Sequence, residues 1–495
     1  MTIRDRFQQE LERRFIDHPD GHGIQFKRRL LTNYELRTAL TVLRAELGGL
    51  RGVRVVLLLP DCLEAYLLYL YLFLEGAVLI PVSVQSVGAR VQQICEKVQA
   101  ELIITSKFLF CAHRTVLDVY PCLLIGSPAG VESSPLQYEW AGRTASAKLA
   151  GAVFSEGREA ERVRFIIFTS GSTGTPKGVC LTENNILSAA DMMVQFLPLD
   201  AATLSMVTVP LYDYYGMIQV FGHILGRGAY VFGMNSSVPG PLLTAVRNLG
   251  CTDLVLVPHT PRVLLGAHEP SVRFAFKTLR RLTSSSDMLT EELLEKLFCI
   301  SPNVTLMNIY GLTEAGRACY RSIKSDTPFS KSVGVPSPGV EVDIRGGRAD
   351  RVGEIIIRGP NVMIGYLERV EAGQIAFTPC NEMPTGDLGY LDANGEVILL
   401  GRRDHMINLM GMKIHPCEIE MAALKLGVTD ARAIVSDGGN DGRVIHLDVV
   451  CPASNVTAER LISSLRNSLP RVFVPKTVSF VETIQRTDVG AKIIR

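Results

Sequence analysis

Residues 168–179 read FTSGSTGTPKGV and follow directly on the apolar run RFIIF at 164–168. Gly171 and Gly174 let backbone amides approach a ligand closely. Thr169, Ser170, Ser172, Thr173 and Thr175 surround them with hydroxyls, and Lys177 and Gly178 close the stretch. Amide and hydroxyl donors gathered around one cation are the chemistry of polyphosphate binding. A flexible Ser/Gly linker is the bland alternative. A linker, though, has no reason to be fused to a buried strand and closed by a Pro-Lys-Gly turn. A Walker loop, G-x-x-x-x-G-K-[ST], does not fit, because Pro176 precedes the lysine and Gly178 follows it. The expectation is a nucleotide site on a fold other than that of the Walker proteins.

Such a loop needs strands to hold it. Short apolar runs recur as RVVLLL at 54–59, LIIT at 102–105, RFIIF at 164–168, DLVLV at 253–257 and TLMNIY at 305–310. Helical patterns lie between them, for example EELLEKLF at 291–298 with Thr290 as N-cap. Apolar strands alternating with helices predict α/β layers around buried sheets. From Gly334 the texture changes to short strands punctuated by Gly and Pro, which predicts antiparallel β, and the last ninety or so residues mix helix and strand. Residues 140–163 are small, polar and weakly periodic, so they read as a surface connection.

Composition narrows the class. The 495 residues suit one large domain with a small one, and 47% hydrophobic against 20% charged residues supply a sizeable core. The 51 Lys+Arg nearly balance 50 Asp+Glu, which argues against a dedicated nucleic-acid-binding protein. Eleven cysteines include no Cys-x-x-Cys pair, so the expectation is thiols in a reducing cytoplasm rather than a disulfide framework or zinc ribbon. The greasiest stretch, 55–84, carries Pro60, Asp61, Glu64 and Glu75, and so predicts a strand and core helix rather than a membrane span.

The loop FTSGSTGTPKGV closely resembles the signature of the adenylate-forming superfamily, which includes acyl- and aryl-CoA synthetases, nonribosomal adenylation domains and luciferases. Further matches follow in family order: LEGAVLIPVS at 74–83, NIYGLTEAG at 308–316, GEIIIRGPNVMIGY at 353–366, TGDLGYLDANGEVILLGRRDHMIN at 385–408 and GMKIHPCEIE at 411–420. The resemblance implies a large N-terminal domain of layered α/β sheets plus a distorted β-barrel, residues 1–403. A small, mobile α+β lid domain, residues 404–495, would follow. It implies ATP and Mg²⁺ as cofactors. Thr169, Ser170, Gly171, Ser172, Thr173 and Gly174 would hold the phosphates, with Lys177 at the loop's end. Glu314 would hold Mg²⁺, Thr313 would meet the α-phosphate, and Tyr310 with Gly311 would lie at adenine. Asp387 would accept from the ribose hydroxyls beside Arg402. Asp404 falls at the family's hinge and Lys492 at its lid lysine. The chain departs from the family by an extra Ala491 before that lysine, by Asn408 and Lys413, and by Ser284-Ser285-Ser286-Asp287 where a small Gly/Ala loop beside adenine is usual, the backbone of Ser285 and Ser286 being expected to serve the nucleotide in its place.

The acid is less defined. PLYDYYGM at 210–217 stands where CoA ligases show P-[LF]-[FY]-H-x-x-G, with Asp213 in place of the histidine. Amino-acid-activating domains carry an aspartate there that pairs with the substrate's ammonium group, which favours an amino-bearing acid, with Tyr214, Tyr215, Met217 and His259 lining a compact pocket. Asp213 as a helix cap or a partner of a neighbouring tyrosine is the other reading. The resemblance implies an AMP-forming acid–thiol ligase whose acceptor is a free-standing carrier protein or CoA. A nucleotide-binding regulator without catalysis is the remote alternative.

Overall fold

The computed structural model describes residues 1–27, 29–86, 88–126, 138–141, 163–169, 177–234, 238–256, 264, 269–285, 289–346, 352–371, 374–403, 407–409, 412–414, 416–437, 443–451, 456–466, 469 and 473–484. Two large sheets organise them. In the first, the strands Ala229–Phe232, Leu204–Val207, Asp253–Leu256, Arg281–Ser285 and Thr305–Leu312 run parallel in that spatial order. A tight reversal then brings Ala315–Ile323 back antiparallel to Thr305–Leu312. In the second sheet, Val163–Thr169 lies parallel to Val78–Pro81, which continues through Arg54–Leu58, Leu102–Ser106 and Cys122–Ile125.

The apolar runs of the sequence are these strands, to within a residue or two at each end. They are buried on both faces, so they read as continuous hydrophobic stretches rather than alternating ones. The greasy segment resolves as expected into Arg54–Leu58, the helix Leu63–Glu75 and Val78–Pro81, with Gly76 ending the helix at φ 77°. Residues Leu63–Phe73 are all buried because the helix lies between the two sheets. Its Tyr66 stacks on Phe232 of the first sheet at 3.6 Å, and its Phe73 stacks on Phe165 of the second at 6.2 Å. Each such side chain stabilises the fold by about 1.5–3 kcal/mol. No helix among the described residues is long and apolar enough to cross a membrane.

The antiparallel strands expected to curl into a barrel are hydrogen-bonded onto both sheets. Ser332–Pro336, Gly353–Arg358, Met383–Leu391 and Val397–Arg402 extend the first, and Gly365–Glu371 joins the second beside Lys177–Thr182. Near the C-terminus, Asp430–Asp437, Arg443–Val450 and Thr477–Phe480 form a small sheet. The helices Pro416–Leu424 and Ala458–Leu465 pack there around Ile419, Leu447 and Leu461. That is the α+β unit expected of the lid, and the boundary at Asp404 lies outside the described residues. The surface connection expected at 140–163 fails at both ends: Val163 opens the strand Val163–Thr169, and 142–162 lie outside the described residues. Trp140 and Ala141 belong to the edge strand Tyr138–Ala141, because pairing with Cys122–Ile125 overrides their weak side-chain pattern. Cys95, Cys122, Cys180, Cys251 and Cys319 are buried and unbridged. Burial pushes each of these thiols up to about 12, so they are inert.

The segment PLYDYYGM leads into a helix of the interior. Tyr214–Leu225 is buried at nearly every position; its histidine is matched on both ring nitrogens, whereas the Tyr214 and Tyr215 hydroxyls and Gln219 Oε1 have no partner among the described residues. The His223 Nδ1–H donates to the Gln219 carbonyl at 2.8 Å, which leaves Nε2 to accept from the Ser205 hydroxyl at 2.7 Å. Arg14, on the N-terminal helix Ile3–Asp17, donates to the His223 carbonyl at 2.7 Å and to that of Gly228. Burial, with Arg14 nearby, depresses the imidazole to about 3. Unfolded, His223 takes up a proton near pH 6.5, so its neutral burial favours the fold fully above that value and progressively less towards pH 3. His223→Gln should therefore cost about 1–3 kcal/mol at pH 7, and the deficit should shrink as pH falls through 6 to 4. Chemical-denaturation midpoints of both proteins across that range measure it.

Candidate active site

The polyphosphate-type loop is the connection of an antiparallel pair. Thr169 closes the strand Val163–Thr169, Lys177 opens Lys177–Thr182, and the two face each other in register. The tight turn that the sequence places between them, 170–176, lies outside the described residues. Lys177 extends over the ring of Tyr366, 5.3 Å from its centroid. The Tyr366 hydroxyl donates to Glu314 Oε1 at 2.9 Å. Glu314 sits in the reversal between Thr305–Leu312 and Ala315–Ile323, where its own carbonyl accepts from the Met363 amide at 2.8 Å. Burial, and then the Glu314 carboxylate, holds the Tyr366 hydroxyl above the ordinary phenol range, so it stays a donor. A cation, an aromatic ring and a carboxylate are thereby linked in succession at the start of Lys177–Thr182.

A second cluster forms at the C-terminal end of the same strand. The Tyr310 hydroxyl donates to Asp387 Oδ2 at 2.7 Å, and the Arg402 guanidinium reaches Asp387 Oδ1 at 3.2 Å. Asp387 and Arg402 face each other on neighbouring strands, and Arg402 also holds the Thr385 carbonyl at 2.8 Å. A side chain at Gly386 would meet Arg402 Nη2 at 2.8 Å, and its backbone has φ 72°, so only glycine leaves the guanidinium in place. Ser285 lies next door, paired with Ile309.

At the start of the helix Tyr214–Leu225, next to the ends of Val163–Thr169 and Thr305–Leu312, is a cavity of about 340 Å³. Thr169, Thr313, Tyr212, Asp213 and Tyr214 line it, with Ser83 and Arg90 from the segment after Val78–Pro81. Asp213 holds the helix N-cap position, yet its carboxylate makes no capping bond. The first turn is drawn against Pro210 so closely that a Cβ on Gly216 would lie 2.1 Å from the Pro210 carbonyl oxygen. That approach aims Asp213 into the cavity. The group has surface open to the cavity mouth, but the surrounding walls displace bulk water. This desolvation, with the Asp61 carboxylate behind it, pushes Asp213 up to about 6. Asp61 accepts from the Leu211 amide at 3.1 Å and is itself raised by burial.

Of the residues expected from the sequence, Thr169, Lys177, Ser285, Tyr310, Gly311, Thr313, Glu314, Asp387 and Arg402 converge on this region together with Asp213 and Tyr214. Tyr215 points the other way, with its ring 4.9 Å from the Arg317 guanidinium. Met217 is fully buried in the main core and is not among the residues lining the cavity, because the helix turns it inward. Ser170, Gly171, Ser172, Thr173, Gly174, His259, Ser286, Asp404 and Lys492 lie outside the described residues. Sequence reasoning passed over Tyr366, although it ends the quoted GEIIIRGPNVMIGY stretch, and Asp61, an acid placed just after a buried strand.

The pattern of the AMP-binding enzyme family matches residues 36–367. An acyl-CoA synthetase of Alternaria alternata is 26% identical over 90% of this chain and 88% of its own length. A long-chain-fatty-acid–CoA ligase of Bacillus subtilis is 24% identical over 96% and 91%. A 4-coumarate–CoA ligase-like protein of rice is 28% identical, but that match spans 67% of this chain and 61% of the rice protein. Among solved structures, apo MatB from Rhodopseudomonas palustris aligns with a TM-score of 0.74 at 21% identity, covering 100% of this chain and 97% of that one. O-succinylbenzoate coenzyme A synthetase from Bacillus subtilis, in complex with ATP and magnesium, aligns at 0.69 and 21%, covering 97% of each. At those identities the structural likeness concerns the fold.

The raised Asp213 fixes a direction for stability. Folded, it ionises near pH 6, whereas unfolded it ionises near 3.8, so the ionised group disfavours the fold above pH 6 and the penalty fades towards pH 4. Asp213→Asn should melt at a higher temperature than the parent at pH 7.5, and the gap should close by pH 4.5. Thermal unfolding at the two pH values checks both sign and window.

Proposed function

This chain belongs to the AMP-binding enzyme family, and from that premise we propose that it joins a carboxylic acid to the α-phosphate of ATP, releasing pyrophosphate, and passes the acyl group to CoA. One observation carries the proposal: Thr169, Thr313 and Asp213 meet at a single cavity, and Lys177, paired across strands with Thr169, is joined through Tyr366 to Glu314, the neighbour of Thr313. The carrier-protein thiol considered from the sequence finds no support among the relatives above, which are named as CoA ligases or synthetases.

The residues suit the nucleotide. The Tyr310 hydroxyl is engaged by Asp387, which leaves the ring face for adenine, while Asp387, fixed from both sides, would accept from ribose hydroxyls. Thr169, Thr313 and Lys177 supply hydroxyl donors and a positive charge for phosphate oxygens. No group of three or more His, Cys, Asp or Glu side chains that could hold a metal occurs among the described residues. A lone carboxylate fits Mg²⁺, which keeps most of its coordination for water and substrate phosphates. Glu314 would hold it, oriented by Tyr366, and the bound cation would neutralise charge on the departing pyrophosphate. The acid needs no general base, being ionised at neutral pH. Asp404 and Lys492 would act as hinge and lid lysine of a C-terminal domain, residues 404–495.

A second reading, concerning the acid, is favoured by Asp213. Its carboxylate lines the cavity, is raised by desolvation and Asp61, and forms no ion pair with Lys or Arg among the described residues. An ammonium group on the acid would supply the missing cation.

Acid-dependent exchange of pyrophosphate into ATP tests the reaction itself, and a chain that only bound nucleotide would show none. Glu314→Gln should keep the circular-dichroism spectrum of the parent while lowering exchange by about 100-fold or more. A normal rate throughout a Mg²⁺ titration would take the metal role from Glu314. An amino-bearing acid should exceed its des-amino analogue by about two to three orders of magnitude in kcat/KM, and Asp213→Asn should remove most of that preference. Equal use of both acids by the parent would make Asp213 structural.

A further inference from the structure

Arg317 is the third residue past Glu314 and has an unusual setting for a guanidinium. It is 2% exposed, and its backbone is held at φ 62°, in the left-handed region that non-glycine residues avoid. Its Nη2 faces the Met193 sulfur at 3.4 Å, while Nε and Nη1 have no hydrogen-bond partner among the described residues. No carboxylate among the described residues pairs with it. Its surroundings are instead the rings of Tyr214 and Tyr215, whose hydroxyls are also buried without partners. Tyr215 stands close enough for the guanidinium to favour its phenolate, yet without bond geometry. An arginine keeps its charge even when buried, and here, among the described residues, the guanidinium meets only the Tyr215 ring, 4.9 Å away, and the Met193 sulfur, which leaves it with donors to spare for an anion.

Geometry ties these donors to the cavity. Tyr214 lines the cavity beside Asp213 and Thr313, and its ring lies flat on the backbone of Gly316, so that a Cβ there would sit 1.9 Å from Tyr214 Cε1. Gly316 is the residue before Arg317. The tyrosine ring therefore borders the cavity on one side and the backbone next to Arg317 on the other, close enough for its hydroxyl to act on the guanidinium electrostatically.

We propose that Arg317, with the Tyr214 and Tyr215 hydroxyls, binds a second carboxylate on the acid, so that the substrate class is short diacids. This rests on the ligase reading above and is independent of any amino group opposite Asp213. The reacting carboxylate lies at Thr313 and the second one at Arg317, with Tyr214 turning aside to let it pass. A guanidinium suits this task because its N–H fork matches both oxygens of a carboxylate.

The test is acid-dependent pyrophosphate exchange with succinate, glutarate and isophthalate against butyrate, monomethyl glutarate and benzoate, each aliphatic acid also in its 2-amino form. The parent should favour diacids over matched monoacids by about 100-fold or more in kcat/KM, since a site built for a polar group strongly rejects the analogue lacking it. Arg317→Met should reduce that ratio to within about threefold, through a raised KM for the diacid, while monoacid turnover is kept or improved. Arg317→Lys should retain part of the preference. Loss of activity towards every acid in equal proportion would make Arg317 structural and overturn the proposal. So would a parent that uses monoacids as well as diacids, a result that needs no variant to fold. Exchange with none of the acids, diacids included, would refute the proposal at its premise and separate that failure from a misassigned arginine.

Discussion

Everything at the site depends on keeping the helix Tyr214–Leu225 dry on all sides while it carries polar residues. A helix enclosed in this way cannot turn unwanted groups to water, so each one needs a specific partner. Arg14 meets the last carbonyls, His223 spans from Gln219 to Ser205, and Gly216 lets the first turn close on Pro210. These contacts fix rotation and axial position together. Asp213 and Tyr214, at the helix start, inherit that precision although neither takes part in the bonds that create it.

The same enclosure separates charges. Asp61 and Asp213 are carboxylates with no cation paired to them among the described residues, and Arg317 is a cation with no carboxylate. Asp213 keeps surface at the cavity mouth, whereas Arg317 is enclosed, and an unpaired buried charge is among the larger penalties a fold can carry. Tyr214, which lines the cavity with Asp213, packs on Gly316, the neighbour of Arg317. A ligand with groups of the right sign would relieve both penalties, which turns instability of the empty site into selectivity for its occupant.

The sequence showed the parts of the molecule that depend on local pattern. Strands such as Asp253–Leu256 stood out because burial on both faces makes them continuous apolar runs, and Thr290 announced its helix by chemistry at one residue, accepting from the Leu293 amide. The loop at 168–179 was legible because its donors are consecutive. Tyr366 was not, since its meaning lies in Glu314, 52 positions away, and in Lys177 on a neighbouring strand. Arg317 directly follows the quoted NIYGLTEAG stretch, and its burial among Met193, Tyr214 and Tyr215 comes from three-dimensional packing that no local pattern marks. Asp213 was half legible: its neighbours identified a substrate segment, but the second carboxylate raising it, Asp61, arrives from the opposite end of a long stretch of chain. The antiparallel strands after Gly334 were recognisable individually, yet their division between two sheets is a property of long-range pairing that no local pattern records.

The bond from Tyr366 to Glu314 crosses from one large sheet to the other. Tyr366 and Lys177 belong to the second sheet, and Glu314 sits in a reversal of the first. A ligand gripped by all three would act as an adhesive between layers, since separating the sheets would require releasing it. Binding free energy is then also interlayer free energy. The two layers already share one hydrophobic core, so saturation should reinforce their junction and raise the midpoint of their common unfolding.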